Sequence, residues 1–92
     1  MKQVHLYISG FVQGVGFREY VKKEARKLRL KGWVRNLFDR RVETVAQGDE
    51  LTLKKFIDIC SKGPFLSEIK SVSVEWEKLS EEFKEFDRKP TV

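Results

Sequence analysis

Residues 4–28 read VHLYISGFVQGVGFREYVKKEARKL, and the two changes of period inside that stretch decide the fold. Val4, Leu6 and Ile8 alternate with His5, Tyr7 and Ser9, the pattern of a half-buried strand over residues 3–9. Gly10, Gly14 and Gly16 then break the alternation with a glycine-rich loop. From Phe17 onward the apolar positions recur at helical spacing, with Phe17, Val21, Ala25 and Leu28 on one stripe. Arg26, Lys27 and Arg29 finish that helix with cations at its negative end.

Beyond this unit, residues 31–38 and 41–47 read as two short strands joined at Asp39 and Arg40. Asp49 is the expected N-cap of a second helix, whose Leu53, Phe56, Ile57 and Cys60 keep helical spacing until Gly63 and Pro64 stop it. Val72, Val74 and Trp76 alternate with Ser71, Ser73 and Glu75 in a fourth strand, and Phe83 to Arg88 add a short fifth. Strand, helix, strand, strand, helix, strand is the split βαβ order. The expected fold is therefore α+β and ferredoxin-like, an antiparallel sheet with two helices on one face.

A chain of 92 residues fits one domain, 1–92, because a second core would leave each half too small to fold unaided. With 36% charged residues and no run of 18 apolar ones, a membrane-spanning helix is not expected. Cys60 is the only cysteine, which excludes an internal disulfide, and no signal-peptide pattern opens the chain. The expected location is the reducing cytoplasm. The net charge of +5 draws the chain toward anions without choosing among them, since its basic residues are interleaved with acidic ones. One histidine and one cysteine make no zinc cluster, and no Asp-rich loop offers a calcium or magnesium site, so no metal and no cofactor are expected.

Glycines leading into a helix leave backbone N–H groups free to face an anion, with the helix dipole adding positive potential. The loop is not a Walker loop, and it misses the dinucleotide pattern because Glu19 stands where the third glycine belongs. Arg18 is informative because a cation in the first turn opposes the dipole by a few tenths to about 1 kcal/mol. A bound anion would reverse that sign, and the guanidinium fork can grip two phosphate oxygens at once. A solvated surface arginine fits these local facts equally well.

The run Gly10-Phe11-Val12-Gln13-Gly14-Val15-Gly16-Phe17-Arg18 resembles the first signature of the acylphosphatase family. Gly32-Trp33-Val34-Arg35-Asn36, followed by Asp39 and Val42-Glu43, resembles the second. Similarity continues through Gly48, Gly63-Pro64, Phe83 and Phe86, and so spans essentially the whole chain. The resemblance implies a metal-free hydrolase that splits acyl phosphates into a carboxylate and orthophosphate. It implies that Gln13, Gly14, Val15, Gly16, Phe17 and Arg18 bind the substrate phosphate and that Arg18 and Asn36 are catalytic. Arg18 would supply charge, Asn36 would orient water, and the substrate's own phosphate would take the proton. The expected partner is a small-molecule acyl phosphate, with inorganic phosphate or sulfate as a competing anion, and the chain is expected to act as a monomer. Asn36 is the only asparagine in the chain, although a turn role is common for that residue.

Two positions depart from the family pattern. Arg40 follows Asp39 where Asp-Gly is usual, and Arg29 replaces the glycine that usually ends the first helix. A non-glycine residue at positive φ costs on the order of 1 kcal/mol.

RNA-recognition domains share the βαββαβ order, and Leu6-Tyr7-Ile8 and Lys31-Gly32-Trp33 with Phe38 resemble parts of their two signatures. The longer signature belongs on the third strand, however, and Arg35 and Asn36 stand where an aromatic residue and a valine are expected. No nucleic acid and no membrane partner are expected. A regulatory or carrier role within a larger protein is the remaining alternative, and no additional domain is visible to support it. His5 has no evident Ser, Cys or Asp partner and reads as a surface residue, while Cys60 reads as core.

Overall fold

The alternation of the first strand divides the molecule into two sides. The computed structural model describes residues 1–92 as β1 (Lys2–Phe11), α1 (Phe17–Lys27), β2 (Lys31–Asn36), β3 (Val42–Gly48), α2 (Glu50–Lys62), β4 (Glu68–Glu77) and β5 (Phe86–Arg88). The sheet order is β4-β1-β3-β2-β5. β1 runs antiparallel to both β3 and β4, and β2 runs antiparallel to β3. The expected sandwich is present, and β5 adds a parallel pairing with β2 that makes the sheet mixed. Parallel pairing arises there because the chain crosses from the β4 edge to the opposite edge before pairing again.

Val4, Leu6 and Ile8 of β1 join Val34, Val42 and Ala46 on the face covered by Phe17, Val21 and Ala25 of α1 and Leu53, Phe56 and Cys60 of α2. Phe86 of β5 completes this layer, its ring meeting that of Phe56 edge-on at 6.0 Å. Each large apolar side chain fully buried here stabilises the fold by about 1.5–3 kcal/mol. Burial pushes the Cys60 thiol up, which leaves it unreactive. At the β4 edge the same face is incompletely covered, so Val74 and Trp76 remain exposed.

The two helices begin differently. Asp49 caps α2 by accepting the Thr52 N–H at 2.9 Å. α1 has no side-chain cap, because Gly16 at φ 77 precedes it. At its other end, Arg29 N–H reaches Arg26 O and Leu30 N–H reaches Ala25 O, each at 3.0 Å. These two bonds form a Schellman cap with Arg29 at φ 59 in the position glycine usually takes.

Leu37 and Phe38, expected in the second strand, lie instead in the turn after β2. Arg40 N–H donates to Leu37 O at 3.1 Å and Leu37 N–H to Arg41 O at 2.8 Å, closing a three-residue loop whose last position, Arg40, takes φ 78. The fifth strand is likewise shorter than its expected span, since the Phe83 N–H turns to the Gln47 side chain at 3.0 Å. Arg40→Gly should raise stability by up to about 1 kcal/mol, the relief of backbone strain being partly offset by a more flexible unfolded chain. A higher urea midpoint at unchanged slope would register the gain.

On the open face of the sheet, His5 Nδ1 lies 2.9 Å from Glu77 and His5 Nε2 lies 2.6 Å from Glu43, which also accepts from Arg35 Nε at 2.7 Å. His5 is thus a half-buried structural link rather than a free surface residue. Burial disfavours its charged form, but the Glu77 and Glu43 carboxylates outweigh that and raise its pKa. Burial raises Glu43 in turn, and Arg35 and His5 outweigh it, for a net lowering. The His5 contribution is therefore full below its ordinary value of 6.5 and is lost as pH climbs through the raised folded value. The Glu43 contribution is full above its ordinary value of 4.5 and is lost on acidification. Thermal melts should show stability falling on both sides of this window, and His5→Gln should flatten the alkaline fall.

Candidate active site

The glycine-rich loop hangs between two buried anchors, Val12 and Phe17. Gly14 and Gly16 both adopt left-handed backbone, at φ 78 and 77, which a side chain would strain. With left-handed residues at these two positions, successive N–H groups can turn toward one point, as in an anion nest. None of the backbone N–H groups from Gln13 to Glu19 donates to another backbone group, and the first such bond is Tyr20 N–H to Gly16 O at 3.0 Å. The uncapped, positive end of α1 lies behind them. Gln13 does something further with its side chain, whose Nε2 donates to Leu37 O at 2.8 Å and Arg41 O at 3.0 Å. That amide ties the loop to the β2–β3 hairpin.

Arg18, in the first turn of α1, has no carboxylate within ion-pairing distance, and its one contact is a long 3.5 Å approach to Lys89 O. Burial, and after it the charge of Arg88, lower its pKa, so this guanidinium is short of negative charge. Asn36 ends β2 on the same sheet face as Val34 and is only 9% exposed. Pairing with Val42 and a 3.2 Å bond from Val92 N–H to Asn36 O fix its backbone. Its Oδ1 is buried with no protein partner. An unmade hydrogen bond of this kind costs about 1–3 kcal/mol, so a buried acceptor without a partner calls for a ligand or water to complete it.

Arg18, Asn36 and the loop line one cavity of about 140 Å³, shared with Glu19 and Arg88. It is small beside the ~300–1,000 Å³ of a drug-sized pocket, and suits a compact anion and a water. A larger hollow of about 860 Å³ opens beside Trp76 and Leu79, but the charged residues there, such as Lys2, Glu50 and Lys54, are exposed or paired with one another. Unpartnered donors and a buried unpartnered acceptor, not volume, distinguish the smaller cavity.

A sequence profile of the acylphosphatase family matches residues 4–88. The chain belongs to the acylphosphatase family. It is 47% identical over 75 residues to an acylphosphatase of Moorella thermoacetica, covering 82% of this chain and 81% of that one. Its structure superposes on the crystal structure of acylphosphatase from Bacillus subtilis with a TM-score of 0.93 at 39% identity, covering 96% and 98% of the two chains. The T. kodakarensis HypF structure is also similar, with a TM-score of 0.87 and 32% identity over 100% of this chain but only 12% of HypF. The same fold thus also occurs as a small part of a much larger protein. The activity that family membership gives this chain is hydrolysis of acyl phosphates.

Of the site residues read from the sequence, Gln13, Gly14 and Gly16 of the loop, Phe17 and Arg18 of the first turn of α1, and Asn36 at the end of β2 line one cavity, whereas Val15 is not among its lining residues and packs partly against the core. Sequence reading missed the clamp made by the Gln13 amide and the presence of Glu19 and Arg88 at the cavity. Glu19 directly follows the recognised run. Arg88 carried no local signal, since it arrives on a three-residue strand from the far end of the chain.

Proposed function

We propose that the loop Gln13 to Arg18 holds the phosphoryl group of an acyl phosphate and that Asn36 holds the water that attacks it. One observation carries this assignment: a run of unpartnered backbone N–H groups and an unpartnered buried amide oxygen line the same cavity. The N–H groups and the Arg18 guanidinium neutralise the phosphoryl oxygens, where charge must be stabilised in the transition state. Asn36 Oδ1 accepts a hydrogen bond from the water and aims its oxygen at phosphorus. The new O–P bond forms as the bond to the acyl oxygen breaks. The carboxylate leaves with the electron pair, and the water's proton passes to a phosphoryl oxygen. Glu19 is a poor base for that proton, because Lys22, and with it Arg88, hold its carboxyl below the usual range. No nucleophilic side chain enters the scheme.

Orthophosphate and sulfate should compete for the same loop, and the chain should work as a monomer in the cytoplasm. No helix is long and apolar enough to cross a membrane, and the one cysteine is free and buried. RNA binding on the open sheet face is disfavoured, because the aromatic faces a base would stack on are taken. Arg35 and Lys89 lie over the Trp33 ring at 4.6 and 4.9 Å, and Arg41 lies over Tyr7 at 4.8 Å. Hydrolysis of a simple aromatic acyl phosphate should persist in excess chelator, while phosphate monoesters, with their poorer leaving group, should be hardly touched. Turnover that stops on chelation and returns with added metal would refute the scheme.

A further inference from the structure

Arg88 reaches the phosphate cavity from the opposite end of the chain. It is the last residue of β5, paired with Val34, which sets it beside the strand that ends in Asn36. Its Nη1 lies 3.3 Å from Glu19 Oε1, while the other oxygen of Glu19 lies 3.1 Å from Lys22 Nζ. The charged side chains at the cavity are therefore two guanidinium groups, Arg18 and Arg88, and a single carboxylate that is already shared with an ammonium group. Arg18 has no carboxylate of its own, and the positive charge of Arg88 acts on it. The site holds more positive charge than its own residues neutralise.

We propose that Arg88 is a second phosphate-binding guanidinium, parked on Glu19, that transfers to a phosphoryl oxygen when substrate enters and makes the site selective for doubly charged oxyanions. The assignment rests on the Gln13 to Arg18 loop being the phosphate site. The exchange strands no charge: Glu19 keeps Lys22, one turn along α1, and a dianion neutralises Arg18 and Arg88 together. A monoanion is neutralised by Arg18 alone and gives Arg88 no reason to leave Glu19. At 3.3 Å the parked contact is longer than the ~2.7–2.9 Å of a strong charge-assisted bond. With the side chain 43% exposed, releasing that contact sacrifices little, as is usual for surface ion pairs. An arginine suits the task because its planar fork can serve two oxygens in turn or at once. The favoured substrates are therefore acyl phosphates with a fully ionised phosphoryl group, and monoanionic esters of them should bind less well.

The test is calorimetric binding of orthophosphate, predominantly a dianion at pH 8, and of perchlorate, a tetrahedral monoanion, to the full chain and its variants at that one pH. Arg88→Gln should weaken orthophosphate by about 10-fold, the worth of one charge-assisted contact, and perchlorate by less than about twofold. Glu19→Gln, which removes the parking carboxylate, should tighten orthophosphate more than perchlorate, and adding Arg88→Gln should cancel the difference. Equal changes for both anions in either single variant, or unaltered orthophosphate binding in Arg88→Gln, would overturn the role of Arg88. Failure of the unsubstituted chain to bind either anion would overturn the phosphate loop itself, so the two failures are distinguishable.

Discussion

Asn36→Ala is expected to lower kcat by roughly 10²-fold or more while orthophosphate inhibition changes by less than about twofold. The separation follows from what the side chain touches. Asn36 lines the same cavity as the loop whose N–H groups are proposed to bind the phosphate, and its Oδ1 has no protein partner. On the proposed assignment, truncation removes a contact to water and none to the anion. The variant should also stay folded, because alanine deletes a buried acceptor whose hydrogen bond the protein does not itself make, and the β2 backbone remains held by Val42 and Val92. Steady-state kinetics with an acyl phosphate, paired with orthophosphate inhibition, measures both quantities. Near-normal kcat in a folded Asn36→Ala chain would remove the water-positioning role.

Much of this arrangement was legible because local periodicity and tertiary packing agree. The β1 alternation and the α1 stripe of Phe17, Val21 and Ala25 became the core unchanged, and Asp49 capped α2 as its residue type requires. Arg18 stood out locally because the dipole makes a cation unfavourable there, but only the resemblance to the family signature assigned it to the phosphate. What stayed hidden depended on partners distant in sequence. His5 looked like an isolated surface histidine, since Glu43 and Glu77 come beside it only when β3 and β4 flank β1. Arg40 could not be assigned a turn, because nothing local to Asp39-Arg40 shows whether the protein accepts a left-handed arginine there. The Asp39 side chain, which takes both the Arg41 N–H at 3.1 Å and its Nε at 2.8 Å, helps hold that loop. Arg88 joined the cavity through a crossover that spans the sheet.

Arg18→Ala should be the more damaging substitution, lowering kcat/KM by about 10³-fold and weakening orthophosphate inhibition as well. Two losses combine in it. The ground state loses a charge-assisted grip on the phosphate, and the transition state loses charge stabilisation at the same oxygens. Stability should move the other way. In the folded chain Arg18 faces the positive end of α1 and the charge of Arg88, with only the 3.5 Å contact to Lys89 O in return. Removing it relieves repulsion worth a few tenths to about 1 kcal/mol, which for a chain of this size raises Tm by a few degrees in phosphate-free buffer. Added orthophosphate should then raise the Tm of the unsubstituted chain and leave that of Arg18→Ala almost unmoved, because only a ligand bound to the folded state stabilises it. An Arg18→Ala chain that is less stable in phosphate-free buffer, yet still stabilised by orthophosphate to the same extent, would mean that Arg18 serves the fold and that another group binds the phosphate.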